Sequence, residues 1–125
     1  MDSFTMIFQA ELNVSQVARV LQDAGFAARL QGTDRLVVTR GIACLWILVS
    51  KPDGLAPSDF EDASQWPIPR DRLMSLFNIS VRRNLESEDL AIEVADRLVT
   101  ALAGAIIWDG MDQWERRYKA YIERK

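Results

Sequence analysis

The chain has 125 residues, 49% hydrophobic and 26% charged, with a formal net charge of −3. That usage fits one ordinary globular domain, large enough to close a core without disulfides or a structural metal. Histidine is absent and cysteine occurs once, at Cys44, which excludes every Ser-His, Cys-His and His-metal arrangement.

At the start, Phe4, Met6, Phe8, Ala10 and Leu12 alternate with Thr5, Gln9 and Glu11, the period-2 pattern of a strand over 4–12 with one buried face. Asn13 then opens a helix, with Gln16 as its capping-box partner and Val14, Val17, Ala18, Leu21 and Ala24 as its apolar stripe. Gly25 closes it, because a residue without Cβ takes the left-handed position after a helix. Residues 26–30 and 35–39 read as strands around the turn at 31–34. Residues 42–50 form a fully apolar strand, expected at the centre of the sheet and covered on both faces. The 26–50 region is therefore two hairpins in sequence.

An acidic, proline-bounded insertion follows at 52–69, PDGLAPSDFEDASQWPIP. It carries Asp53, Asp59, Glu61 and Asp62, two aromatics, Phe60 and Trp66, and neither Lys nor Arg. Connections of this length inside a compact domain are usually functional. Phe77, Ile79 and Val81 then alternate with Asn78, Ser80 and Arg82 as a strand with a polar outer face. Ser87 is the expected cap of the clearest helix, whose broad apolar face runs from Leu90 to Ala103, with Gly104 following it. A short strand over 105–108 and an amphipathic helix bearing Trp114, Tyr118, Tyr121 and Ile122 complete the order.

These elements predict a single domain over 1–125. It is α+β, two-layer and ferredoxin-like, with two helices on one face of a mostly antiparallel sheet. The extra C-terminal helix would pack at an edge or serve as a contact surface.

The glycines stand singly and form no phosphate loop. Cys44, set between Ala43 and Leu45, reads as a buried small hydrophobe. Asp59, Glu61 and Asp62 lack the twelve-residue calcium-loop spacing, so neither metal nor cofactor is expected. Nucleic acid is not expected as a partner either. The acidic balance opposes it, the central strand ACLWILV offers only Trp46, and the neighbours Arg82-Arg83 and Arg116-Arg117 read as having a solvated, charge-pairing role. No apolar run spans a membrane, and a lone cysteine fits a reducing compartment, so a cytoplasmic, membrane-free protein is expected.

What the residues favour is recognition of a partner protein. Phe60 and Trp66 would be desolvated anchors, while Asp59, Glu61 and Asp62 would steer a basic target. The chain resembles the small cytoplasmic immunity proteins that neutralise bacterial polymorphic toxins. The resemblance rests on a single acidic α+β domain and on the closing helix ADRLVTALAG, the short strand AIIWDG and the terminal helix. It implies one-to-one binding to a cognate toxin domain, often over its active site. Alternatives are a ferredoxin-like module that binds a small ligand at a homodimer interface, a secretion chaperone, and an enzyme working through carboxylates, Lys or Tyr.

Overall fold

The computed structural model describes residues 2–52, 67–107 and 112–125. Six strands form one antiparallel sheet, and three helices occur among the described residues. In chain order these are β1 (Asp2–Phe8), α1 (Val14–Asp23), β2 (Ala27–Leu30), β3 (Arg35–Arg40), β4 (Ala43–Ser50), β5 (Ser75–Val81), α2 (Leu85–Leu102), β6 (Ala105–Ile107) and α3 (Asp112–Arg124). The strand order is β2-β3-β4-β5-β1-β6. Strands β2, β3, β4 and β5 form a meander, as expected for the two hairpins and the strand after the insertion.

Both main helices are crossovers. Strands β5 and β6 each run antiparallel to β1 between them, so α2 joins two parallel strands across one neighbour. Helix α1 carries the chain from β1 past three strands to the far edge at β2. The side chains of both helices pack in one cluster with Phe4, Met6 and Phe8 of β1, Leu45 and Ile47 of β4, and Phe77 and Ile79 of β5. They therefore share one face, the two-layer α+β arrangement of the ferredoxin-like description. Phe8 and Phe77, both fully buried, pack at its centre in a tilted arrangement with ring centroids 4.3 Å apart.

Local chemistry explains the element ends, with several shifts from expectation. Helix α1 has the predicted capping box: Asn13 Oδ1 accepts from the Gln16 N–H at 2.9 Å, and Gln16 Oε1 accepts from the Asn13 N–H at 2.8 Å. Such a cap stabilises a helix by about 1 kcal/mol. Gly25, at φ 93°, follows the last helical residues as foreseen. Strand β1 stops at Phe8 rather than at residue 12, because Ala10 and Leu12 are drawn off the ladder. The Ser75 hydroxyl donates to the Ala10 carbonyl at 2.7 Å and accepts from the Leu12 N–H at 2.9 Å.

The cap of α2 is Asn84, whose side chain accepts from the Ser87 N–H at 2.7 Å. Ser87 itself lies inside the first turn, fully buried. At the other end the left-handed residue is Ala103, with φ 52°. Gly104 is needed for space instead, since a Cβ there would overlap the Phe8 ring. Strand β4 is central, but both main helices lie on one side of it. Its other face, Trp46, Leu48 and Ser50, is half-buried rather than covered.

Helix α3 docks on α2 and on β1. Trp114 is 4% exposed and packs on Phe4 at a centroid distance of 5.3 Å, with Tyr118 and Tyr121 against the same core. At the outer edge, the Gln22 side chain donates to the Ala28 carbonyl at 2.8 Å, and the Ala28 N–H bonds to the Phe26 carbonyl at 3.1 Å. Both backbone groups of Ala28 are thus satisfied from within the chain.

Candidate functional site

Each of the residues singled out from sequence for partner binding, Asp59, Phe60, Glu61, Asp62 and Trp66, lies outside the described residues. Their mounting is described. The insertion leaves β4 and returns to β5, neighbours in the middle of the sheet, paired at Ser50 and Leu76. On the outgoing side the Val49 N–H bonds the Asp34 carbonyl at 2.7 Å, and Lys51 pairs with Glu11 at 2.9 Å. That hydrogen bond and charge hold the Glu11 carboxyl below its ordinary range. On the returning side, Ile68 and Leu73 pack with Ile7 in a second small core, against Leu76, Ala105 and Ile107. The intervening residues Arg70–Arg72 make one 3-10 turn, and the Met74 N–H closes onto the Phe8 carbonyl at 2.9 Å.

The helix-free face of the sheet follows from register. Ala28, Leu36, Val38, Leu45, Ile47, Phe77 and Ile79 point into the helix-covered core, so alternate residues point the other way. One cross-strand row on that face is Arg29, Val37, Trp46, Ser80 and Ser3; the next is Arg35, Leu48, Asn78 and Thr5. On this face Val37 and Cys44 are buried at 6% exposure each, Trp46 and Leu48 are half-buried, and Arg29, Arg35 and Asn78 are exposed. None of the strand residues on this face is Asp or Glu. Beyond β5, Arg82 extends the face and donates to the Ile42 carbonyl at 3.2 Å, tying down the β3–β4 turn. Cys44 is buried with a free thiol, as expected of a small apolar residue.

A second concave region lies on the helix side. A cleft of about 530 Å³ is lined by Arg40, Glu93, Asp89, Arg117, Tyr121 and Arg124. Two smaller clefts, of about 250 and 450 Å³, adjoin it through Glu93. Its charges are largely matched internally. Arg40 bonds Glu93, which raises the guanidinium pKa further. Arg117 bonds Glu88 at 3.2 Å and Asp89 at 2.6 Å while lying 5.9 Å over the Trp114 ring. Lys125 bonds Asp96. The Arg40 and Arg117 pairs, partly exposed, contribute little individually, about 0–1 kcal/mol each. Together they hold α3 and the end of β3 against α2. Arg117 therefore has the pairing role foreseen for the Arg116-Arg117 pair.

The helix-free face escaped sequence reasoning because its members come from separate strands. The available signal was phase: Arg35, Val37 and Thr39 alternate with core residues, as do Trp46 and Leu48. Comparison with protein-family models, with curated proteins and with solved structures finds no match to this chain.

Proposed function

We propose that this chain is a non-enzymatic inhibitor that neutralises a cognate toxin or effector by binding its toxin domain and occluding a basic active-site cleft. One observation carries the reading. The segment with four carboxylates and no cation is mounted on the paired ends of the two central strands, β4 and β5. A rigid sheet presenting a charged, aromatic connection is the usual construction of a recognition loop. Asp59, Glu61 and Asp62 would attract a basic surface, and Phe60 and Trp66 would supply the desolvated contacts where interface energy concentrates.

The test starts with affinity capture of the tagged chain, followed by purification of the stoichiometric partner and titration calorimetry. Phe60→Ala or Trp66→Ala weakens binding by about 2 kcal/mol or more. Reversal of Asp59, Glu61 and Asp62 to Lys mainly slows association and flattens its salt dependence. Affinity unchanged in both sets removes the 53–66 segment as the interface. A homodimer holding a bound small molecule, without a protein partner, replaces the inhibitor with a ligand-binding module.

A further inference from the structure

We propose that the helix-free face of the sheet is a platform for single-stranded nucleic acid, with Trp46 as the stacking ring and Arg29 and Arg35 as phosphate contacts. This assignment is independent of the inhibitor reading. It comes from register, which places these residues side by side although they lie far apart in the chain.

Trp46 sits on β4, in the interior of the sheet, and is half-buried. It lies opposite Val37 of β3 and Ser80 of β5. Arg35 is opposite Leu48, which places it diagonally from Trp46, about 7–8 Å away across a strand pair. Arg29 lies opposite Val37 and so two strands from Trp46, about 10 Å away. Both arginines are exposed, and neither forms an ion pair among the described residues. Ser80 and Asn78 beside the ring offer hydroxyl and amide groups to base edges.

Charge distinguishes this face from the rest of the molecule. The whole chain carries −3, yet the strand residues here include two guanidiniums with no ion pair among the described residues, and no carboxylate. The charged cleft around Glu93 has the opposite character, its arginines already bonded to Glu88, Asp89 and Glu93. A half-buried indole flanked by exposed arginines and small polar groups, displayed on a sheet, suits an unstacked base with its phosphates. The expectation against nucleic acid rested on the acidic balance of the chain, on Arg82-Arg83 and Arg116-Arg117 having a solvated, charge-pairing role, and on Trp46 standing alone within its own strand. Register bears on the last of these. Neighbouring strands supply what that strand lacks.

The test is fluorescence anisotropy with labelled twelve-nucleotide oligo-U and oligo-dT, UMP and a polyglutamate peptide serving as competitors. Oligonucleotide binding is expected, with a salt slope of about −1.4 from two phosphate contacts. That corresponds to about seven-fold weaker binding at 200 mM than at 50 mM salt. Trp46→Ala weakens binding about ten-fold or more. The pair Arg29→Glu and Arg35→Glu, both exposed and so tolerated by the fold, abolishes it. Arg19→Glu, on α1, leaves it unchanged. No binding at 50 mM salt, or an equal loss in the Arg19 variant, overturns the platform. Stronger competition by polyglutamate reassigns the face to an acidic protein, and UMP binding as tightly as the oligomer reassigns it to a free nucleotide; either overturns the proposal.

Discussion

The buried hydroxyl of Ser87, in the first turn of α2, accepts the backbone N–H of Cys44 in β4 at 2.9 Å. Strand β5 ends at Val81, opposite Leu45, so the ladder offers Cys44 no acceptor and the helix supplies one. Ser87→Ala leaves that N–H buried and unpaired. The expected loss is about 1–3 kcal/mol by urea denaturation, with the Asn84 cap intact.

Ala103 and Gly104 occupy each other's natural places. Ala103 takes the left-handed conformation at φ 52°, where Ala→Gly relieves about 1 kcal/mol of strain. Gly104→Ala drives a methyl group into the fully buried Phe8 ring, itself held against Phe77. That overpacking costs about 1–3 kcal/mol. Thermal denaturation of the two variants should move in opposite directions.

Asp96 is a nearly buried carboxylate, its side chain 10% exposed, whose partner Lys125 is half-exposed. Lys125→Ala strands that charge and lowers stability by about 1–2 kcal/mol, less than for a fully buried pair because water reaches the lysine. Adding Asp96→Asn should restore part of the loss. A double-mutant cycle in urea reads the coupling, and a value of zero would show the pair to be incidental.

Burial raises the Tyr118 hydroxyl above its ordinary 10.0, with Asp96 and Tyr121 adding to the shift. A pKa raised in the folded state means that the unfolded chain ionises first. The contribution is fully present below about pH 10 and is lost as pH rises through the folded pKa. Stability measured between pH 9 and 11.5 should fall, and Tyr118→Phe should flatten that fall.

Much of the fold was legible because its signals are local. The capping box at Asn13 and Gln16, the glycine after α1 and the alternation in β5 each lie within a few residues of what they determine. Misreadings came where a distant group decides. Ser87 looked like a cap until β4 claimed its hydroxyl, and β1 seemed to continue to Leu12 until Ser75 bonded Ala10 and Leu12. The site was less legible. The 53–66 segment stands out by composition, but Arg29, Arg35 and Trp46 become neighbours only through strand register, which no single window of sequence contains.

The bond from Gln22 to Ala28 bears on how this molecule meets others. Strand β2 is an outer edge of the sheet, the position from which strand-by-strand growth into fibrils would begin. With the carbonyl and N–H of Ala28 engaged at home, an incoming strand finds no continuous ladder to extend. Selectivity then falls to side-chain chemistry, and the chain is protected from polymerising with its own copies at that edge.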